Sequence, residues 1–455
     1  MKKPVQSALA RFIAKPPDAC MPSPPLHTLS ACEAAVRLAQ RSLRAEDLVR
    51  ACLEHIDARE PEVQAWQHLA SESAIARAIQ LDAGAHQGAL HGLPIGVKDL
   101  LATADMPTGF GSAIYQHHTP AADAACVAVA RQQGAVVMGK TVTTEFATFQ
   151  PNQTRNPLNL AHTPGGSSSG SAAAVADHMV PLALGTQTAG SLIRPASYCG
   201  IVAYKPSMGV ISRAGAKPLS DTLDVVGTLA RDVPDAAFFA AALSGRPALR
   251  VKPVHEQISR RLRVGVCRTY EWDQAEAESQ NALLHATHVL QNTNDVEVCD
   301  ITLPVEFQQL VQAQTQVQLF EQAHNLAHEH IVHFAQLSPR LQGILNSGKA
   351  ITHAQYDAAL QHIARCRSLL TDVLADVDVL LTLSAQGSAP HGLDNTGDPL
   401  FCRIWTALHT PSVNVPAAKA ANGLPIGLQV VGLPMHDALV LSAAHGLMQH
   451  LKVKS

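Results

Sequence analysis

Long apolar runs are absent from this chain of 455 residues. No stretch approaches the roughly 18 to 20 consecutive apolar residues that cross a bilayer, so we expect no membrane-spanning helix. The first twenty residues are basic, but Arg11 and Lys15 interrupt any apolar run and prolines follow. We therefore expect no cleaved signal peptide.

Cysteine pairs and an excess of charge are also lacking. The nine cysteines are odd in number, show no CxxC spacing and lie mostly in apolar segments. This pattern is typical of reduced, buried thiols in a cytoplasmic protein and disfavours a disulfide framework or a zinc site. A net charge of -3 gives no basic surface for nucleic acid or for an anionic membrane. We therefore expect no metal, no nucleic-acid partner and no membrane partner.

Apolar residues make up 47% of the chain and charged residues only 16%, which is ample material for a large core. Short apolar strands alternate with segments of helical periodicity in the second half. This alternation predicts an α/β fold with a central mixed, mostly parallel sheet covered by helices on both faces. The predicted strands there are 262–267, 296–301, 377–383 and 428–431, and the helical segments between them are 305–335 and 354–373.

The N-terminal part has a different pattern. Residues 30–70 are helical in periodicity, and Pro61 is predicted to separate this helix from a second one at 65–82. We expect residues 1–70 to form a helical lead-in packed on the core. The remainder, 71–455, is expected to be a single catalytic domain with a helical cover at about 305–373.

The most informative stretch is 162–207, HTPGGSSSGSAAAVADHMVPLALGTQTAGSLIRPASYCGIVAYKPS. Two loops of small residues, 164–171 and 185–191, flank an Ala/Val-rich segment that predicts a buried helix. Glycine lets the backbone approach a ligand closely, and serine adds hydroxyl groups without bulk. The stretch therefore indicates a reaction centre made of serines and backbone N–H groups.

Two short motifs, at 134–141 and 166–170, match patterns that are known for other kinds of chemistry. Residues 134–141 match the phosphate-loop pattern GxxxxGK[ST], but its variable positions, 135–138, are predicted to be a strand and not a loop. Residues 166–170 match the GxSxG nucleophile elbow, which needs an apolar strand upstream, whereas 155–164 is a polar, proline-bearing segment. We reject both.

Upstream, LHGLPIGVKDL contains a short apolar run, 93–97, that ends at Lys98 and Asp99. From these residues alone two interpretations stay open. Lys98 is either a surface lysine paired with Asp99 or a buried lysine with a chemical role, since lysine is seldom fully buried.

Taken together, these segments resemble the amidase signature family. The resemblance is carried by HGLPIGVKD, GGSSSGSAAAVA, GTQTAGS, RPASYCG, KPS and the closing LPIGLQVVG, in that order, and it extends from about Leu48 to the C-terminus. Carried over to this sequence, it implies a Ser, cis-Ser, Lys triad of Ser191, Ser167 and Lys98. The serine separation of the family, 191 - 167 = 24, favours Ser167 over its serine neighbours. No cofactor is implied.

The resemblance also assigns roles. Ser191 attacks the amide carbonyl, Ser167 relays its proton through a cis Gly166–Ser167 peptide, and Lys98 is the final base. A serine hydroxyl needs such a base, and lysine can act as one only when neutral. Burial would have to lower the lysine pKa from about 10.4 toward 7.

Backbone N–H groups of Thr188, Ala189, Gly190 and Ser191 are implied to form the oxyanion hole. The chain departs from the common family pattern GTDTGGS, because Gln187 replaces aspartate and Ala189 replaces glycine. We expect Gln187 to influence substrate choice.

Arg194 stands three residues after Ser191, whereas many members carry arginine two residues after. It either clamps a substrate carboxylate or pairs structurally inside the protein, and both interpretations stay open.

We therefore expect a cytoplasmic amidase that hydrolyses a linear carboxamide through an acyl-enzyme on Ser191. Its partner would be a small-molecule amide, with a carboxylate-bearing one favoured by Arg194, and self-association into a homodimer stays open. The first alternative is the glutaminase subunit of a tRNA-dependent amidotransferase, against which the lack of a basic surplus counts. The second is a catalytically silent binding or scaffold protein of the same fold.

Overall fold

A computed structural model of the chain describes residues 24–451. The first 23 residues of the predicted lead-in, with the stretch considered for a signal peptide, lie outside the described residues, as do 452–455. Within the described part the helices are α1 (Ala31–Ala39), α2 (Ala45–Val63), α3 (Ser71–Ala83), α4 (Ala125–Gln132), α5 (Ser169–Ala176), α6 (Ile193–Cys199), α7 (Val233–Ser244), α8 (Ala277–Gln291), α9 (Leu310–Asn325), α10 (Ala327–Val332), α11 (Pro339–Lys349), α12 (His353–Val373), α13 (Leu400–Ala407) and α14 (Asp437–His450). The strands are β1 (Trp66–Leu69), β2 (Pro94–Lys98), β3 (Val136–Thr141), β4 (Leu182–Gln187), β5 (Val202–Lys205), β6 (Val225–Ala230), β7 (Leu262–Cys267), β8 (Val296–Ile301), β9 (Val379–Leu383), β10 (Ser412–Lys419) and β11 (Pro425–Val431).

All of these strands join one mixed sheet in the order β1-β3-β2-β4-β6-β5-β10-β11-β9-β7-β8, with helices packed against it. The predicted α/β class with a mixed sheet is confirmed. The sheet is not mostly parallel, as was predicted, because four of the ten strand pairings are parallel and six are antiparallel. The parallel pairings form two separate groups, β3-β2-β4 and β9-β7-β8, joined by antiparallel strands.

The antiparallel middle explains why the prediction was wrong in this respect. Strands β4, β5 and β6 are fully buried and apolar, as central strands of either orientation are. The sequence of such an apolar run does not indicate whether the strand is parallel or antiparallel to its neighbours. Strand β4 was not predicted. Residues 182–184 were expected at the end of the buried helix and 185–187 in the loop after it, whereas α5 ends at Ala176 and the chain re-enters the sheet at Leu182.

The first parallel group positions the candidate site. Strand β2 lies between β3 and β4, and its residues 95–97 pair with 182–184 in parallel register. The carboxyl ends of parallel neighbours meet at the same edge of a sheet, so Lys98 and the residues after Leu184 lie side by side. Helix α5 packs directly behind them, and its residues 169–175 are buried.

A close approach fixes Gly170 in α5. A Cβ atom at Gly170 would lie 2.2 Å from the Ala65 carbonyl oxygen and 2.3 Å from the Val142 nitrogen. Both neighbours are backbone atoms, which cannot turn aside as a side chain can. The glycine that gives 166–170 its elbow-like pattern is therefore required by helix packing.

The N-terminal prediction needs two corrections. Pro61 does not end the first helix but lies inside α2, which reaches Val63. Residues 66–69, predicted as helix, form β1, which pairs antiparallel with β3 at the edge of the sheet. The Glu60 carboxylate accepts hydrogen bonds from the Ala65 and Trp66 nitrogens at 2.9 and 2.8 Å, and so holds the turn between the helix and the strand.

Two large apolar clusters stabilise the molecule. The first lies along both faces of the sheet and includes α2, α5, α7 and α14. The second lies where α9 and α12 cover α13 and the end of the sheet that carries β7 and β9. None of the helices between residues 24 and 451 combines the length and the apolarity that a membrane span requires.

Candidate active site

The structure brings two of the predicted triad residues, Lys98 and Ser167, into contact beside the carboxyl ends of β2 and β4, and Ser191 lies on the loop that follows β4. The Lys98 Nζ donates to Ser167 Oγ at 2.7 Å and to Thr186 Oγ1 at 2.7 Å. The Gly166–Ser167 peptide is cis. The Ser168 nitrogen donates to the Ser191 carbonyl at 3.4 Å, which ties the two serine loops to each other. Lys98 and Ser167 are 0% and 1% exposed, whereas Ser191 is 9% exposed.

Lys98 is surrounded by hydroxyl groups and not by acids. Burial lowers its pKa well below the ordinary lysine value, and the more distant Asp224 carboxylate opposes this shift. A lysine with a lowered pKa gives up its proton more readily than an ordinary lysine and, once neutral, can accept one. The environment is the one that a lysine base requires.

The interpretation of Lys98 as a surface lysine paired with Asp99 is wrong. Asp99 is also fully buried, and its carboxylate lies 3.3 Å from the Nζ of Lys140. Lys140 donates further to the Leu101 carbonyl at 2.8 Å and to Thr108 Oγ1 at 2.6 Å. Because Lys140 lies inside β3 with these partners, the rejection of a phosphate loop at 134–141 is confirmed.

The predicted oxyanion loop is anchored through its carbonyl groups. The carbonyl oxygens of Thr188, Ala189 and Gly190 accept from Gln314 Nε2 at 3.1 Å, from Thr406 Oγ1 at 2.7 Å and from the Arg194 nitrogen at 3.0 Å. In a trans peptide the N–H group points opposite to the carbonyl group. The N–H groups of the next residues, 189–191, therefore point to the other side of the loop, which is the arrangement that an oxyanion hole needs.

Thr188 is held by its side chain as well. Its Oγ1 donates to Asp224 Oδ1 at 2.6 Å, and the other Asp224 oxygen accepts from the Leu219 and Ser220 nitrogens at 2.8 and 2.9 Å. Burial raises the pKa of Asp224 to about 6. The Asp224 carboxylate therefore fixes one end of the loop.

Gln187 uses both ends of its amide inside the protein. Its Nε2 donates to Thr406 Oγ1 at 2.9 Å, and its Oε1 accepts from the nitrogens of Leu192 and Ile193 at 2.9 and 3.1 Å. It therefore satisfies the amino end of α6. These contacts favour a role in shaping the loop, while its predicted contact with substrate stays a prediction.

Arg194 lies behind the triad. It is 2% exposed, and its Nη2 donates to the Gly166 carbonyl at 2.7 Å and to Thr396 Oγ1 at 3.2 Å. The first contact holds the peptide that precedes Ser167. Of the two open interpretations, the contacts favour the structural one, and a carboxylate clamp by Arg194 stays a prediction.

Sequence reasoning missed several residues that complete the site. Thr186 could have been found, because it lies inside the GTQTAGS block next to residues that were singled out. Asp224, Gln314 and Thr406 had no local signal, since they reach the loop from 36, 126 and 217 residues away.

Comparison with known proteins identifies the family. The Amidase family profile matches residues 47–441, which is most of the chain. The chain belongs to the amidase family. It is 32% identical to the A subunit of glutamyl-tRNA(Gln) amidotransferase from Oleidesulfovibrio alaskensis, over 92% of this chain and 96% of the relative.

Solved structures agree with this assignment. The fold is similar to that of a crystallised amidase at 29% identity and a TM-score of 0.85, with coverage of 93% and 100%. It is also similar to a structure described as an unexpected vestigial protein complex that reveals the evolutionary origins of an s-triazine catabolic enzyme. That match has 27% identity, a TM-score of 0.84 and coverage of 93% and 99%. This amidase-family chain therefore has the expected amidase signature fold.

The comparisons overturn two predictions. Further curated relatives are also named as the A subunit of glutamyl-tRNA(Gln) amidotransferase. The prediction of an amidase that acts by itself on a small linear amide is thus wrong, and so is the prediction of a chain with only a small-molecule partner and no nucleic acid. The net charge does not decide between these functions, because it describes only what one chain attracts by itself.

Proposed function

We propose that this chain is the amide-cleaving subunit of a tRNA-dependent amidotransferase. In this role it releases ammonia from the side-chain amide of glutamine, and the ammonia is used to amidate glutamyl-tRNA(Gln). The observation that carries the proposal is the 32% identity to an amidotransferase A subunit, with nearly complete coverage of both chains.

The geometry supports a chemical route for the first half of this reaction. Neutral Lys98 takes a proton from Ser167 as Ser167 takes one from Ser191, and the Ser191 Oγ attacks the amide carbonyl carbon. The carbonyl oxygen becomes negatively charged and is stabilised by the N–H groups of residues 189–191.

Collapse of this intermediate breaks the C–N bond. The proton held by Lys98 returns through Ser167 to the leaving nitrogen, which departs as ammonia, and a glutamyl ester remains on Ser191. Water then attacks the ester by the same proton route, releases glutamate and restores the hydroxyl of Ser191. Each cycle consumes one amide and one water and leaves the three side chains unchanged.

The proposal includes two expectations from the sequence. Residues 1–70 form a lead-in on a single catalytic domain at 71–455, covered by the helices at about 305–373. The chain works in the cytoplasm, as the sequence pattern of its cysteines, typical of reduced thiols, indicates.

The test is to capture the tagged full-length chain with its partners from its own organism. We expect the captured assembly to release ammonia from glutamine and to convert glutamyl-tRNA(Gln) to glutaminyl-tRNA(Gln). Ser191→Ala should abolish ammonia release, and the same assembly supplied with free ammonia should still amidate the tRNA. Capture of the intact chain without amidation of the tRNA under either condition contradicts the proposal.

The silent-scaffold alternative has its own readout. A serine-directed fluorophosphonate should label Ser191 in the wild-type chain and should not label Ser191→Ala. A folded wild-type chain that takes up no label would favour the scaffold.

A further inference from the structure

A cleft lies beside the C-terminal helix, in the part of the sheet that is far from Lys98. It has a volume of about 590 Å³ and lies between residues 252–261, the first residues of β7 and β8, and the second half of α14. Six strands separate β7 from β2, the strand that ends at Lys98, and none of the site residues described above lines the cleft. We call it the α14 cleft. Its volume is in the range of sites that hold a small organic molecule.

The buried and half-buried side chains that line the α14 cleft are mainly apolar. They come from the segment before β7, from both strands and from α14: Val254, Ile258, Leu262, Val296 and Leu447. Together they form an apolar floor. A ligand with an apolar part gains free energy when it excludes water from such a surface.

The exposed side chains at the α14 cleft include three cations, Lys252, Arg260 and Arg261. Arg260 already has a partner, because its Nη2 lies 2.6 Å from the Asp378 carboxylate. Lys252 and Arg261 form no ion pair with any acidic residue between 24 and 451. Two positive charges at this cleft are therefore available to an anion.

The two available cations are attached to fixed parts of the cleft. The Nη2 of Arg261 donates to the Val296 carbonyl at the start of β8. Ser442 ties the segment that carries Lys252 to α14, since its Oγ accepts from the Lys252 nitrogen at 3.2 Å and from the Nε2 of Gln257. A site that is formed before the ligand arrives loses less entropy on binding.

Gly446 keeps the α14 cleft open. It lies inside α14, where glycine is less favourable than alanine, and it lines the cleft. Protein packing does not require a glycine here. Among the described residues outside its own stretch of helix, a Cβ atom would meet only the Cγ2 of Val254, at 4.0 Å, which is an ordinary contact. The missing side chain therefore leaves space that the protein does not use for its own packing.

Charge disfavours the chain's own ends as occupants of the α14 cleft. Residues 1–23 and 452–455 each contain more basic than acidic residues. Asp295, the one acid among the described residues that line the cleft, lies 3.5 Å from the ring of His450. The occupant that complements the two available cations is an anion from outside the chain.

We propose that the α14 cleft binds a small organic anion. The apolar part of this ligand lies on the floor beside Gly446, and its carboxylate or phosphate group reaches Lys252 and Arg261. Both side chains bind such groups, and arginine can do so through two parallel hydrogen bonds. The site is separate from the amide chemistry and does not depend on the proposed function.

The first test measures the binding of two fluorescent dyes to the full-length chain. Anilinonaphthalene sulfonate carries an apolar ring system and one anionic group, and phenylnaphthylamine is the same ring system without the anion. Arg261→Gln should weaken binding of the sulfonate about 10- to 100-fold, which is the usual effect of losing a charge-assisted hydrogen bond. Binding of the neutral dye should not change. Arg365→Gln is the matched control, because it removes the same charge from an exposed position on α12, and it should affect neither dye.

Gly446→Leu should remove the binding of both dyes, because its side chain occupies the cleft. Gly446→Ala should weaken both dyes less and should raise the midpoint of urea denaturation, since alanine is favoured in a helix. If the leucine variant does not fold, the alanine variant carries the test. Unchanged dye binding in the folded variant, or a wild-type chain that binds no sulfonate, would overturn the proposal. Equal weakening of the two dyes by Arg261→Gln would overturn it as well, because the anionic group would then not be recognised.

A second measurement identifies the anionic group. Phenyl phosphate, phenylacetate and the neutral benzyl alcohol are each used to displace the sulfonate dye from the wild-type chain. At least one of the two anions should displace it at concentrations about tenfold or more below that of the alcohol, as expected for a charge-assisted hydrogen bond. The anion that acts at the lower concentration shows whether the site prefers phosphate or carboxylate. Displacement by all three compounds at equal concentrations would mean that the cleft binds apolar surface only, which contradicts the proposal.

Discussion

Lys98 and Lys140 are both fully buried, yet their surroundings give them different chemistry. The two lie on neighbouring parallel strands, where Lys98 pairs in register with Thr141 and Val97 pairs with Lys140. The Nζ of Lys140 lies 3.3 Å from the Asp99 carboxylate. Burial lowers the pKa of Lys140 to about 8, although the attraction of Asp99 opposes this shift. Lys98 has only the hydroxyls of Ser167 and Thr186, and its pKa is lowered well below the ordinary value. A shift of one residue along the sheet therefore separates a structural cation from a candidate base.

We predict that Lys98→Met lowers kcat/KM for the amide donor by about 10²- to 10⁴-fold, the usual contribution of a general base. In wild type, kcat/KM should rise with pH as Lys98 loses its proton, and the midpoint should lie well below the ordinary lysine pKa. This limb should vanish in the variant. The measurement is ammonia release between pH 5 and pH 9, with circular dichroism to show that the variant is folded. A folded variant that keeps wild-type turnover would require a different base.

At the scale of elements, the site depends on how closely α5 approaches the ends of the strands. Gly170 faces backbone atoms on two sides, the Ala65 carbonyl just before β1 and the Val142 nitrogen just after β3. The approach keeps Ser167, at the start of this segment, within reach of Lys98. Helices α9 and α13 hold the oxyanion loop in place, because Gln314 and Thr406 donate hydrogen bonds to its carbonyl groups.

We predict that Gly170→Ala lowers the free energy of unfolding by about 1 to 3 kcal/mol or more, because the added methyl group overpacks against rigid backbone. The matched control is Gly343→Ala in α11, where a Cβ would meet nothing within 4 Å. That change should stabilise the protein by up to about 1 kcal/mol through helix propensity. Urea denaturation measures both. Equal effects of the two substitutions would show that α5 can shift without cost.

At the scale of the whole molecule, buried lysines couple folding to pH. Lys205, at the end of β5, donates to the carbonyls of Pro206 and Thr410 and so joins the sheet to the chain between α13 and β10. Burial lowers its pKa from 10.5 to about 8, although Asp437 opposes the shift. Between pH 8 and pH 10.5 the unfolded chain holds this proton more often than the folded chain does. The stability that Lys205 contributes therefore rises with pH in this window and is lost as the pH falls through 8.

We predict that the free energy of unfolding of wild type, relative to that of Lys205→Met, increases by about 2 kcal/mol from pH 7.5 to pH 10. The comparison with the variant is needed because cysteine and tyrosine residues also titrate in this pH range. Their contributions to the free energy of unfolding are the same in both proteins and cancel when one value is subtracted from the other. Guanidinium denaturation at several pH values in this range measures it. A difference that stays constant, or that shrinks as the pH rises, would mean that Lys205 is not a titrating buried group.

Much of the site follows from the sequence because its parts are local. Lys98 ends a short apolar strand, Ser167 and Ser191 lie in two loops of small residues, and the segments that carry them are recognisable one by one. Strands β7 and β8 were predicted with their observed bounds, since each is a short run in which apolar residues recur at every second position near its start. The local sequence pattern is enough to predict the role of a residue when that role depends only on the segment that contains it.

Only the tertiary structure decided the remainder. Strand direction in the middle of the sheet was not predictable, because a fully buried strand is apolar whichever way it runs. The pKa of Lys98 depends on which groups surround it, and the pairing of Asp99 with Lys140 instead of Lys98 removed the one nearby acid. Gln314 and Thr406 come from helices far along the chain. The sequence determined which groups can react, and the packing of distant segments decided their charge and their neighbours, because desolvation and contact are properties of the folded molecule.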